Sequence, residues 1–88
     1  MYFVYILKNS ANKLYIGITD NPKRRSREHN THRGAAYTSH IPTYEIVFLE
    51  QYETLAQART REIQIKKWRR EKKEFLIDRY SKGLPTKR

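Results

Sequence analysis

Four residues in the first third of the chain have side chains that could act on a phosphate group. Tyr5 and Tyr15 lie in short runs rich in aromatic and β-branched residues, and Arg25 and His29 stand four residues apart. This spacing places the arginine and the histidine on one face of a helix. An arginine can grip a phosphate with two N–H groups, and a neutral imidazole can take a proton near neutral pH. The ordinary alternatives are sheet packing for the phenols and a solvated basic helix for the other pair.

Glu62 is the most informative carboxylate of the sequence. In a segment with helical periodicity it falls in a stripe with Leu55, Ala58 and Ile65, which should face a sheet. A buried carboxylate needs a partner or a metal. One interpretation is structural, either an ion pair, for example with Arg25, or a partly exposed edge position. The other is a single-carboxylate site for a hard divalent cation, with water and phosphate oxygens completing the shell.

Strand and turn signals predict the elements that position these residues. Aromatic and β-branched runs predict strands over residues 2–8, 13–19 and 44–52, and the short gap between the first two predicts an antiparallel hairpin. If Lys8 lies opposite Asn12, Tyr5 falls opposite Tyr15 on one face of the sheet. Gly17 lies on the same face. Its missing side chain indicates either a bulge or weak point in the strand, or room for a substrate or neighbouring backbone.

Capping signals predict the helices. Asn21 and Thr54 have the side chains of N-caps, and Gly83 can end the last helix. The helices are predicted over residues 21–30, 54–68 and 71–80. These elements predict one α+β domain over residues 1–80, followed by a basic, disordered tail over residues 81–88.

The charge of the chain favours a polyanionic partner. Its 88 residues carry 19 Lys and Arg against 9 Asp and Glu, a net charge of +10, and nucleic acid is the commonest partner of so basic a domain. No apolar run reaches the length of a membrane span and no leader is evident, so a cytoplasmic protein without a membrane partner is expected. The absence of cysteine excludes disulfides and thiolate metal sites. The basic residues expected to contact nucleic acid are Lys23, Arg24, Arg27, Lys66, Lys67, Arg69 and Arg70.

The two strand motifs resemble the paired signature of the GIY-YIG nuclease superfamily. They read Phe3-Val4-Tyr5 and Tyr15-Ile16-Gly17, with Phe3 where the name-giving pattern has glycine, a common variation. The resemblance continues through the arginine helix and Glu28-His29-Asn30 to Arg61-Glu62, and covers the chain up to about Ile77. The chain is most similar to small stand-alone bacterial GIY-YIG proteins. Its first half also looks like the nuclease domain of structure-selective resolving enzymes.

The resemblance implies a small three-stranded antiparallel β-sheet flanked by helices and hydrolysis of a DNA phosphodiester with one divalent metal ion. By position in the family pattern, Tyr5 is implied to be the general base or its relay, and Tyr15 to orient water and phosphate. Arg25 is implied to bind the scissile phosphate, and His29 to assist proton removal. Glu62 is implied to hold Mg²⁺ or Mn²⁺, which polarises the phosphate and stabilises the leaving oxygen.

Two other functions stay open on the sequence. A nucleic-acid-binding module that does not cut would account for the net charge, with Trp68 available to stack on a base. A nuclease-like subunit activated by a protein partner is the second. The patterns fix no oligomeric state.

Overall fold

The structure is a computed structural model that describes residues 1–27 and 44–87. His29 and the last part of the helix predicted over residues 21–30 lie outside the described residues, as do residues 31–43. The predicted α+β fold with an antiparallel three-stranded sheet is confirmed, with the spatial strand order β2-β1-β3. The elements are β1 (Tyr2–Asn9), β2 (Leu14–Thr19), α1 (helical over 22–27), β3 (Tyr44–Tyr52), α2 (Leu55–Lys66) and α3 (Arg70–Ser81).

The β1–β2 hairpin has a different register from the predicted one. Tyr5 pairs with Gly17 and Leu7 pairs with Tyr15, so the prediction that the two tyrosines lie directly opposite was wrong by two residues. The cause is a longer turn, in which the Asn9 side chain accepts a hydrogen bond from the Lys13 backbone N–H at 2.9 Å. Because side chains alternate along a strand, a shift of two residues keeps both tyrosines on the predicted face.

Each face of the sheet carries its own apolar cluster. On the helix-covered face, Val4, Ile6 and Phe48 pack against side chains of α2 and α3. The helix residues buried in this cluster are Ala58, Ile65 and Leu76. On the other face, Tyr5 and Leu7 are buried with Tyr44. Tyr5 therefore points away from the main core, toward the face that α1 reaches.

The predicted caps fix where the helices begin and end. Thr54 is the expected N-cap of α2 and forms a capping box with Gln57, whose N–H donates to the Thr54 hydroxyl at 3.2 Å. Asn21 caps α1 by accepting from the Arg24 backbone N–H at 3.0 Å. Gly83 follows α3 with a φ of +72°, a conformation that glycine adopts at little cost.

A buried ion pair ties β3 to α2. The Arg61 Nε donates to a Glu50 carboxylate oxygen at 2.9 Å, and the side chains are 15% and 2% exposed. Arg61 also donates to the Thr86 carbonyl at 3.0 Å, and Arg79 donates to the Pro85 carbonyl at 2.8 Å. These bonds dock residues 85 and 86 against the helices. The disordered tail expected over residues 81–88 stays a prediction, and the bonds favour a docked segment instead.

Candidate active site

A hydrogen bond between Tyr5 and Arg25 forms the centre of the candidate site. The Arg25 Nε donates to the Tyr5 hydroxyl oxygen at 3.1 Å, across 20 positions of the chain. The helix start brings Arg25 there, because the Thr19 hydroxyl at the end of β2 accepts from the Asn21 N–H at 3.0 Å. Asn21 then caps α1, and Arg25 lies one turn into the helix. The end of β2 and the N-cap of α1 together place the Arg25 guanidinium against β1.

Gly17 lies directly under the Tyr5 ring. A Cβ built on Gly17 would stand 2.6 Å from the Tyr5 Cζ and closer still to the hydroxyl oxygen. Such approaches are far inside ordinary van der Waals contact, and the 5% exposed Tyr5 ring has little room to move. The missing side chain therefore leaves room, but the occupant is neither the substrate nor the backbone that the sequence suggested. The group it accommodates is the Tyr5 side chain.

Glu62 is buried on α2, as its position in the apolar stripe predicted. Its side chain is 8% exposed and accepts from Arg59 at 3.3 Å and from Lys66 at 3.2 Å. Both partners lie on the same helix and are more than half exposed. The ion pair suggested with Arg25 is therefore replaced by two local pairs, at the spacings of three and four residues that a helix favours.

One cavity joins these groups. Tyr5, Gly17, Arg25 and Glu62 all line it. Arg59 lines it as well and was not singled out in the sequence. Its position three residues before Glu62 is the signal that could have identified it. The lining also includes Tyr2, Asp20 and Arg24. The cavity therefore brings two tyrosines, three arginines and two acidic residues to one volume of solvent.

Two sequence-predicted residues are not placed in this cavity. Tyr15 is 41% exposed, and its ring packs edge-on against Tyr44 with the centroids 5.6 Å apart. It shares the sheet face of Tyr5, but it is not among the described residues that line the cavity. His29 lies outside the described residues, so its predicted role stays a prediction.

The predicted nucleic-acid contacts are mostly exposed. Arg24 pairs with Asp20 at 2.6 Å, and both residues line the cavity. Arg70 pairs with Glu74 at 3.2 Å. Lys66 forms an ion pair with Glu62 at 3.2 Å, so Lys66 lies next to the candidate site. The remaining residues of the predicted set, all exposed, are Lys23, Arg27, Lys67 and Arg69.

The donor set of the cavity can be compared with what a divalent cation requires. Mg²⁺ is commonly held by one or two carboxylates, with water and substrate phosphate oxygens as the other ligands. No group of three or more His, Asp or Glu side chains converges within residues 1–27 and 44–87. Glu62 does present a buried carboxylate at the cavity wall. The residues therefore fit a cation that takes most of its ligands from water and substrate.

Comparison with known proteins agrees with the family resemblance of the two strand motifs. The family model described as the GIY-YIG catalytic domain matches residues 1–75. A UPF0213 protein of Haloquadratum walsbyi is 40% identical over 77 residues, which cover 88% of this chain and 86% of that protein. A UPF0213 protein of Staphylococcus aureus is 41% identical over 76 residues, covering 86% and 93%.

A solved structure also resembles this chain. The solution NMR structure of a UPF0213 protein from Bacillus halodurans is 30% identical and has a TM-score of 0.57. The match covers 89% of this chain and 84% of that one. The family resemblance and the α+β fold predicted from the sequence are thereby confirmed. Separately, no helix in the described part of the chain is long and apolar enough to cross a membrane.

Proposed function

Because this chain belongs to the GIY-YIG catalytic-domain family, we propose that it is a divalent-metal-dependent endonuclease that hydrolyses DNA phosphodiester bonds. The observation that supports this most is the shared cavity of Tyr5, Arg25 and Glu62, with the phenol bound to the guanidinium at 3.1 Å. A phenol, a guanidinium and a carboxylate are the groups that deprotonate a water, bind a phosphate and hold a metal ion. Branched or flexible DNA is the proposed substrate.

Tyr5 is the proposed general base or proton relay. Its hydroxyl oxygen accepts the Arg25 N–H, so its own proton stays available for donation and one lone pair stays available to a water. Burial of the ring against Gly17 restricts where that oxygen can lie. Proton transfer needs a donor and an acceptor within hydrogen-bond reach, and a fixed oxygen satisfies this requirement for a water bound in the cavity.

Arg25 is the proposed phosphate ligand. Its Nε is engaged by Tyr5, which leaves the N–H groups of the two terminal nitrogens for phosphate oxygens. A guanidinium can bind two oxygens of one phosphate in parallel and stabilise negative charge as it develops. The Tyr5 bond therefore orients the group that would hold the scissile phosphate.

Glu62 is the proposed ligand of Mg²⁺ or Mn²⁺. When bound, such an ion polarises the phosphate and stabilises the leaving oxygen. Arg59 and Lys66, two exposed residues that pair with Glu62, would be released toward the DNA. Tyr15 is the proposed partner in orienting water and phosphate, and His29 the proposed assistant in proton removal.

The test is a cleavage panel on labelled branched and linear DNA with Mg²⁺ or Mn²⁺. The Tyr5→Phe, Arg25→Ala and Glu62→Ala variants should each lose about 10²-fold or more in rate, the usual cost of removing a general base or an electrostatic ligand. Glu74→Ala is the matched control, because Glu74 is an exposed acid on α3 that pairs with Arg70. Equal cleavage by all four variants would overturn the proposal.

A non-catalytic nucleic-acid-binding module is the second candidate, favoured by the net charge of +10. Binding would then fall steeply with salt, since each neutralised phosphate releases counterions. Glu62→Ala should leave binding unchanged or tighten it, because the substitution removes a negative charge beside exposed cations. Salt-sensitive binding without cleavage under any divalent metal would favour this function over the endonuclease.

A further inference from the structure

A second groove lies on the flank of α2 that faces away from the candidate active site. It runs between α2, α3 and residues 85–87. We propose that this groove, here called the aromatic–basic groove, binds single-stranded DNA. Its defining residues are Tyr52, Trp68, Lys72, Phe75, Arg79 and Lys87.

A lysine or arginine side chain lies over each aromatic ring of the groove. The Lys72 ammonium lies 4.3 Å from the centroid of Trp68, and the Lys87 ammonium lies 4.1 Å from that of Tyr52. The Arg79 guanidinium carbon lies 5.8 Å from the centroid of Phe75. Such pairs suit a nucleic acid strand, because a base can stack on a ring while the neighbouring cation moves to the adjacent phosphate.

Exposure and charge distinguish this groove from an ordinary core edge. Phe75 is 61% exposed, so its ring is open to a stacking partner at the cost of an unfavourable apolar surface. Lys72, Arg79 and Lys87 form no ion pair with any residue that the structure describes. The described lining contains no acidic side chain. The charge of the groove is therefore complementary to a polyanion.

The rings favour a single strand over a duplex. Base faces are covered by neighbouring bases in a duplex and are open in a single strand, where stacking on aromatic side chains supplies sequence-independent affinity. Trp68 packs partly against the main core, and Arg61, held by Glu50 at 2.9 Å, lies over its ring. The stacking surface is thus fixed before a strand arrives, which lowers the entropy cost of binding.

The groove is close enough to the candidate active site to hold part of the same molecule. Glu62 lines the site and Arg61, the preceding residue, lines the groove, so α2 alone separates them. A helix with its side chains is about 10–12 Å across, the length of about three stacked nucleotides at roughly 3.4 Å each. A single-stranded arm of a branched substrate could therefore lie in the groove. Strand binding itself does not depend on cleavage.

Trp68 provides the direct test, because it is the single tryptophan of the chain and lies in the groove. A twelve-residue oligothymidylate is titrated into the protein with chelator present and the tryptophan fluorescence is recorded. Quenching that saturates is expected. Phe75→Ala should raise the Kd about tenfold, within the usual range for the loss of one stacked base. Lys72→Ala should weaken binding and reduce the slope of log affinity against log salt by about 0.7.

The controls separate the groove from general attraction to the basic surface. Ile63→Ala removes an exposed apolar residue of α2 outside the groove, and Lys13→Ala removes an exposed cation of the hairpin turn. Both should bind as the unsubstituted protein does. Binding is measured with chelator present and detected at Trp68, so failure of the endonuclease proposal would leave this result standing.

Three outcomes would overturn the proposal. The first is a rise in anisotropy of labelled oligothymidylate with no change in Trp68 fluorescence, since the strand would then bind elsewhere. The second is equal affinity for a duplex of the same length. The third is quenching by an acidic peptide at the same concentration, which would assign the groove to an acidic protein partner.

Discussion

The Tyr5 ring occupies the space that a side chain at position 17 would need. A Cβ on Gly17 would lie 2.6 Å from the Tyr5 Cζ, although the two residues are 12 positions apart and meet through the hairpin register. The same Tyr5 hydroxyl accepts the Arg25 N–H. The glycine of the second motif therefore sets the position of the phenol in the first.

Gly17→Ala should consequently affect both stability and cleavage. Overpacking a well-packed site costs about 1–3 kcal/mol, measured as the free energy of unfolding in urea. The displaced Tyr5 hydroxyl should lose its bond to Arg25, and the cleavage rate should fall with it. Gly83→Ala is the matched control, since its φ is +72° with nothing within 4 Å of an added Cβ. It should cost about 1–2 kcal/mol, the penalty of a Cβ in the left-handed region, with cleavage unchanged. Full cleavage by Gly17→Ala would contradict the assigned role of the Tyr5 hydroxyl.

Tyr5 and Arg25 should behave as one unit in catalysis. Arg25→Lys replaces a planar fork with a point charge that cannot bind Tyr5 and a phosphate in the same geometry. We expect Tyr5→Phe and Arg25→Lys each to lower kcat/KM, and the double variant to cost much less than the sum of the two. Residues in contact commonly show coupling of 0.5–3 kcal/mol, about twofold to over a hundredfold in rate. Additive losses in single-turnover kinetics would show that the 3.1 Å bond has no part in the reaction.

The sequence predicted those parts of the fold that local chemistry determines. Thr54 and Asn21 cap helices as expected, because a cap depends on residues within one turn. The helical spacing of Glu62 with apolar residues predicted its burial correctly for the same reason. These features need no knowledge of distant contacts.

The predictions that differ from the structure depend on geometry that local sequence patterns do not determine. The hairpin register is set by the bonds between Asn9 and Lys13 and by Asn12 with a φ of +66°, so counting from the strand ends misplaced it by two residues. This shift puts Gly17 rather than Tyr15 opposite Tyr5. The partners of Glu62 were missed because side-chain choice among several nearby cations depends on packing.

Metal binding should compete with the ion pairs of Glu62. Arg59 and Lys66 are 57% and 53% exposed, and exposed ion pairs contribute about 0–1 kcal/mol each. Arg59→Ala or Lys66→Ala should therefore tighten Mn²⁺ binding by up to about fivefold. The affinity is measured from the electron paramagnetic resonance signal of the free ion. Lys67→Ala is the control, since Lys67 is an exposed neighbour with no ion pair to a described residue. Glu62→Gln should abolish the binding; unchanged affinity in that variant would place the metal elsewhere.

Acid should weaken the fold through Glu50. Burial, the largest single influence, raises the pKa of Glu50, but hydrogen bonds from Arg61, Thr86 and Tyr52 and the charge of Arg61 together hold it below the ordinary value. A carboxyl whose pKa is lowered by folding stabilises the native state above its unfolded pKa, and this contribution is lost as the pH falls through the folded pKa. Glu50→Gln should cost roughly 1.5–3 kcal/mol at pH 7. The unfolding free energies of the two proteins should converge as the pH falls through the folded pKa of Glu50, which lies below the ordinary value of 4.5; a constant difference would contradict the assignment.

Alkali should act on the same network through Tyr52. Its hydroxyl donates to Glu50 at 2.8 Å, and burial together with that bond raises the pKa of Tyr52 to about 12. A phenol with a raised pKa stabilises the fold while it is protonated, and the contribution is lost between the unfolded value near 10 and the folded value near 12. Tyr52→Phe removes this titration, so the difference in unfolding free energy from the unsubstituted protein should shrink across that interval. A difference that stays constant up to pH 12 would show that Glu50 does not hold the Tyr52 proton.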